Sequence, residues 1–164
     1  MKCALITILL SVMCVLIPLT GYAEESYNRI GIMLGGTALL SLSYEYHFSN
    51  YSMRVNVGTS EGEISLLATV NRFFTSSSTK PFIGIGGWNS VVFYKGIEHI
   101  HLVTVPVGVD WKISDRKYLG LECDMHYFIT GRHHDGSKVE FNSPNINKRF
   151  LPIPAVYYKF RLAE

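Results

Sequence analysis

The feature that most constrains this chain is a change of period after residue 23. Before it, the single base Lys2 precedes an apolar run, Ala4 to Leu19, that Pro18 breaks; Gly21 and Ala23 then set small residues around Tyr22, as cleavage between Ala23 and Glu24 requires. From Tyr27 onward, apolar and polar residues alternate in twos. That is the period of a β-strand, whose successive side chains take opposite faces. A signal peptide over 1–23 and one all-β domain over 24–164 are therefore expected. The remainder, about 141 residues, suits a single domain.

The leading run is short for a membrane-spanning helix, which needs about 20 apolar residues. An uncleaved anchor is one alternative, and a lipoprotein processed at Cys14 or Cys3 is another. Met13 suits the residue before a lipidated cysteine poorly, and Cys14 lies in the middle of the run, so plain cleavage is preferred. The chain carries 15 Lys and Arg against 13 Asp and Glu, and one of those bases, Lys2, sits in the leader. A chain so nearly neutral has no basic field for nucleic acid. Of the three cysteines, Cys123 alone lies beyond the leader, so no intramolecular disulfide is expected in the mature chain.

Eight alternating segments are predicted at 27–35, 38–48, 51–59, 63–74, 81–94, 100–113, 117–129 and 149–162. In the second, Leu40, Leu42, Tyr44, Tyr46 and Phe48 oppose Ser41, Ser43, Glu45 and His47. In the sixth, Val103 through Trp111 and Ile113 at every second position oppose Thr104, Gly108, Asp110 and Lys112, with Leu102 and Pro106. The seventh sets Leu119, Leu121, Cys123, Met125, Tyr127 and Ile129 against Gly120, Glu122, Asp124, His126 and Phe128. The eighth sets Val156, Tyr158, Phe160 and Leu162 against Tyr157, Lys159 and Arg161. Eight antiparallel strands form the smallest common outer-membrane barrel.

Alternation by itself does not say which face is wet. Three features lean toward lipid outside. The apolar face is long and unbroken across strands two, six, seven and eight. The polar face is balanced in sign, with Arg29, Arg54, Lys112, Lys159 and Arg161 facing Glu45, Asp110, Glu122 and Asp124, and His126 among them. Such a set is predicted to form an interior charge network, because an eight-stranded barrel is filled by its own side chains and buried charges persist when paired. Finally, Tyr46, Phe48, Tyr51, Phe73, Phe74, Phe82, Trp111, Tyr158 and Phe160 all fall at one rim and read as an aromatic girdle at the headgroup level. The connections at that rim, Ser49-Asn50, Thr75 to Lys80 and Ser114 to Arg116, are short and polar. The opposite rim carries Gly35-Gly36-Thr37, Thr59 to Gly62, Lys95 to His99 and the longest connection, Gly131 to Lys148. That pattern places the long loop outside the cell and both termini in the periplasm. Gly84, Gly86 and Gly87 make strand five the weakest and suggest a bend or close backbone approach.

Four stretches carry a resemblance: Tyr44-Glu45-Tyr46-His47-Phe48, Pro81-Phe82-Ile83-Gly84-Ile85-Gly86-Gly87, Val105-Pro106-Val107-Gly108-Val109 and Tyr157-Tyr158-Lys159-Phe160-Arg161-Leu162. With them the chain resembles small bacterial outer-membrane β-barrels of the OmpA/OmpX-like kind. The resemblance implies an eight-stranded up-and-down transmembrane barrel in a Gram-negative outer membrane, contact with its lipid and lipopolysaccharide, and insertion by the barrel-assembly machinery. It carries over no catalytic residue and no cofactor. Barrels of this kind usually end on an aromatic residue, whereas this chain ends Leu162-Ala163-Glu164 with Phe160 displaced inward, which bears on assembly efficiency. No peptidoglycan-binding domain is expected after strand eight.

Three constellations point to chemistry. His133, His134, Asp135 and Lys138 carry metal-ligand types, but on a loop that does not aim them at one ion; a solvated, partner-contacting loop is preferred. His99 and His101 share a strand face beside Glu98, without a third ligand. Glu122, Asp124 and His126 also share a face. A lipid A deacylase-like site would want Ser two residues beyond the His, and Phe128 stands there. The preferred reading is a non-enzymatic structural or surface-interaction barrel without an open pore, working through the loop Gly131 to Lys148. A lipid-modifying barrel enzyme and a soluble secreted β-barrel for a small apolar ligand are the alternatives. Arg72 falls on the lipid-facing register and should lie at a rim or follow a bulge. Val107→Arg should block assembly, and Gly108→Ser should be milder.

Overall fold

The computed structural model describes residues 26–60, 62–93, 98–132 and 150–163. The leader, its Ala23/Glu24 cleavage site and the loop residues His133, His134, Asp135 and Lys138 lie outside the described residues. Eight strands follow in order: β1 (Tyr27–Gly35), β2 (Ala38–Phe48), β3 (Tyr51–Ser60), β4 (Glu63–Phe73), β5 (Thr79–Val92), β6 (Glu98–Ser114), β7 (Lys117–Arg132) and β8 (Phe150–Arg161). Each pairs antiparallel with its sequence neighbour, and β1 pairs with β8 from Arg29↔Arg161 to Gly35↔Ala155. The sheet is a closed barrel with no free lateral edge along that seam.

Burial is inverted relative to a water-soluble domain. Arg29, Glu45, Arg54, Asp110, Asp124 and Lys159 are all essentially buried, whereas Leu42 is 65 % exposed, Leu121 53 % and Val57 52 %. Alternation produces this directly: β2 buries Ser41, Ser43, Glu45 and His47 and exposes Leu40, Leu42, Tyr44 and Tyr46. Arg72 is exposed and pairs across to Tyr51 and Ile83 without any register shift along β3–β4–β5. It therefore lies at the rim rather than on a bulge.

Several boundaries move for reasons of pairing. β5 begins at Thr79 because Thr79↔Trp111 and Lys80↔Asp110 extend its ladder with β6. At the other end, β6 and β7 reach Glu98 and Arg132, since His99↔Arg132 and Ile100↔Gly131 continue the ladder past a register shift at His101/Leu102. Gly131 and Arg132 thus belong to a strand rather than to the long loop.

The β1–β2 hairpin uses Gly35 at φ 84° and Gly36 at φ 71°, where side-chain-bearing residues are strained. Close approach explains other glycines. A Cβ at Gly120 would overlap the ring of Tyr157, its β8 partner, and one at Gly108 would press on Phe82, its β5 partner. In each pair an inward aromatic ring occupies the space the glycine leaves. Gly84 and Gly86 likewise face crowded neighbours, but Gly87 points outward into open space.

Candidate functional site: the lumen and the mouth at the termini

Inward positions of the eight strands bring distant charges together. Glu45 Oε2 accepts from Arg29 Nη2 at 2.9 Å and from Lys159 Nζ at 2.7 Å, while Oε1 accepts from Ser52 Oγ at 2.5 Å. His47 Nε2 lies 3.3 Å from Glu45 Oε1, and Asn71 donates to Ser52 Oγ at 3.2 Å. Arg29 Nη1 reaches across to Asp110 Oδ2 at 2.6 Å. Since β1 and β6 are not neighbours in the sheet, that bond ties opposite walls. Arg54 on β3 forms a second cross-tie, 2.5 Å from Glu122 Oε2 on β7. A charge-assisted bond in a low-dielectric interior is stronger than its exposed counterpart, and a buried charge without one is costly.

The structure brings Arg29, Glu45, Asp110 and Lys159 into one network and Arg54 with Glu122 into another. The other four residues of the predicted set, Asp124, Lys112, Arg161 and His126, take other places on the inward register. Asp124 is inward and buried, but its oxygens have no hydrogen-bonding partner among the described residues; it sits under the Gly36 turn, one inward position beyond Glu122. Lys112 and Arg161 have inward parity but occur at the ends of β6 and β8, so they line the barrel mouth. Lys112 is 41 % exposed and pairs at 3.0 Å with Asp115 in the β6–β7 turn. The Lys112 ammonium, by hydrogen bond and charge, holds the Asp115 carboxyl below its usual range. Arg161 stacks its guanidinium 4.4 Å over the Tyr27 ring.

His126 is buried with Thr104, whose Oγ1 lies 2.8 Å from His126 Nδ1, and the Trp88 ring stands 5.1 Å away. Glu122, Asp124 and His126 therefore share the lumen, away from the outward-facing wall. His99 and His101 are exposed near the far rim. Among the described residues, no three His, Cys, Asp or Glu side chains group as a metal site. Cys123 is a free thiol on the outer-face register of β7, between inward Glu122 and Asp124.

The aromatic girdle needs correction. Tyr46, Phe74 and Phe160 are exposed at the rim, but Phe73 and Phe82 point inward and are buried. Their strands reach the rim on an inward position, so their rings close the lumen instead. Tyr27 stacks on His47 at 4.7 Å, His47 meets Phe73 at 5.0 Å, and Phe73 meets Phe82 at 5.4 Å. Tyr118 completes this floor, with Arg29 Cζ 4.5 Å from its ring on the lumen side. On the solvent side of Tyr27 and Tyr118 lies a cleft of about 430 Å³, walled by Lys80, Lys112, Arg161 and the Ser76–Ser78 turn.

Sequence reasoning missed His47, Ser52, Asn71 and Thr104 as members of the lumen network. Their inward parity was visible, but neutral polar residues on such a face do not announce which charge they serve.

No protein-family model matches the chain, and comparison with curated proteins gives no match. Among solved structures it is similar to the N-terminal β-barrel domain of Pseudomonas aeruginosa OprF, with a TM-score of 0.61 and 10 % identity. The similarity covers 86 % of this chain and 100 % of that one. At that identity the shared property is the fold, a closed eight-stranded antiparallel barrel, and the resemblance read from the sequence stands at that level.

Proposed function

We propose that this protein is an outer-membrane barrel of a Gram-negative cell, with a structural or surface-interaction role and no enzymatic activity. The observation that carries the reading is the inversion of burial: charges are enclosed while Leu, Ile and Val face outward around the barrel. A soluble ligand carrier requires the apolar face inward, and exposed apolar surface this continuous marks a lipid or protein contact. The OprF-like fold supports the same location. In this reading residues 1–23 direct export and are removed between Ala23 and Glu24, the barrel-assembly machinery inserts the domain, and both termini remain periplasmic. The outer wall meets lipid and lipopolysaccharide, and the long connection between β7 and β8 meets an extracellular partner.

The cross-ties Arg29–Asp110 and Arg54–Glu122, together with the aromatic floor, support a barrel that conducts no ions. Eight strands leave room for side chains rather than for an aqueous channel. The test is membrane fractionation with electrophoresis before and after boiling in SDS, followed by conductance in planar bilayers. A heat-shifted outer-membrane band without unitary conductance supports the proposal. A soluble band or stable ohmic openings would refute it.

A further inference from the structure

We propose that the cleft at the mouth bearing the termini is a binding site for a phosphate group. Three bases from three strands converge there: Lys80 from β5, Lys112 from β6 and Arg161 from β8, all around one cleft of about 430 Å³. Lys112 differs from the lumen bases in what opposes it. Arg29, Arg54 and Lys159 each meet a buried carboxylate, whereas among the described residues the carboxylate bonded to Lys112 is Asp115, 99 % exposed and three residues along the chain. Such a pair is weak and exchanges readily for a better anion. Tyr27 and Tyr118 separate the cleft from Glu45 and Asp110, so the lumen carboxylates do not occupy it.

The remaining wall supplies neutral donors. The turn is held by Lys112 N–H donating to the Ser78 carbonyl at 2.7 Å and by Ser77 bonds to Thr75 Oγ1 and to the Thr79 carbonyl. Ser76 and Ser78 line the same cleft. Stacking on Tyr27 fixes the plane of the Arg161 guanidinium, which favours two-point recognition of a tetrahedral oxyanion. Two lysines, one oriented arginine and serine hydroxyls make a donor set of the kind that receives a phosphate group. The same chemistry is offered by a soluble phosphate ester and by a phospholipid headgroup reaching over the rim. The compartment of the site rests on the outer-membrane reading; the site itself does not.

The experiment is amide shift mapping of the folded, isotope-labelled protein in zwitterionic micelles, with inorganic phosphate added against chloride at equal ionic strength. A second arm uses nanodiscs of phosphatidylglycerol or phosphatidylcholine without free phosphate. Saturable shifts at Ser76–Ser78, Lys112 and Arg161 are expected, and Lys112→Gln and Arg161→Gln should each weaken binding by about tenfold, the loss of one charge-assisted contact. Response to inorganic phosphate identifies a soluble ligand; response to phosphatidylglycerol alone identifies a headgroup. No saturable shift in either arm, or equal shifts in both variants, overturns the proposal. Both variants should keep the heat-shifted band, so loss of barrel folding is read separately from loss of binding.

Discussion

Replacing Glu45 with Gln tests whether the lumen is held by its charges. Glu45 accepts from Arg29, Lys159 and Ser52 at 2.9, 2.7 and 2.5 Å. Gln keeps the volume and one acceptor oxygen but removes the negative charge. Arg29 would retain Asp110 at 2.6 Å, whereas Lys159, fully buried, would lose its carboxylate and keep only its place 3.9 Å over the Tyr157 ring. Leaving a buried charge unpaired costs about 3–5 kcal/mol. A desolvated cation–π contact offsets about 2 kcal/mol of such a loss, which leaves an expected cost of about 1–3 kcal/mol. Lys159→Met in the Glu45→Gln background should recover most of it, because the stranded charge is removed. The assay is urea unfolding from phospholipid vesicles, followed by the emission of Trp88 and Trp111. A loss below about 1 kcal/mol for Glu45→Gln, the size of an exposed pair, or no recovery in the double variant, would refute the reasoning.

Val107 faces outward on β6, so Val107→Arg should cost about 2–4 kcal/mol at mid-bilayer and abolish the heat-shifted band, while Ser43→Ala on the inward face should leave the band intact. Gly120→Ala drives a methyl into the Tyr157 ring and should lower stability by about 1–3 kcal/mol in the same urea assay. Gly108→Ser meets Phe82 and the β7 backbone, so it should destabilise measurably instead of passing as a mild change, yet still assemble. Lys112→Ala should leave the unfolding midpoint unchanged, since its partner Asp115 is exposed.

Strand parity was legible because a period of two is written in the residues themselves: Glu45, His47, Asp110, Glu122, Asp124 and Lys159 all face inward as alternation requires. Height along the lumen was not legible. Lys112 and Arg161 have the same parity as Asp110 and Lys159 but sit one inward step farther out, where the wall ends and water begins. Phe73 and Phe82 show the converse difficulty, since grouping aromatics by rim ignored the face on which each strand arrives there. The cross-ties were hidden for another reason. Arg29–Asp110 and Arg54–Glu122 join residues far apart in sequence on strands that are not neighbours, and their meeting depends on the stagger with which the sheet closes. Composition announced that charges must pair, without saying which.

The unequal strand lengths give the barrel a lopsided crown. β1 has 9 residues and β6 and β7 have 17 and 16, yet all three reach the rim that bears the termini. At about 3.3 Å per residue, the seven or eight extra residues of the longer strands raise one side by roughly 20 Å once strand tilt is allowed for. Among the described residues, the rim opposite the termini is then a parapet on one flank with a low sill at the Gly35–Gly36 turn. A molecule arriving at that rim meets a wall from one bearing and a threshold from the other, so the approach to this barrel has a compass direction.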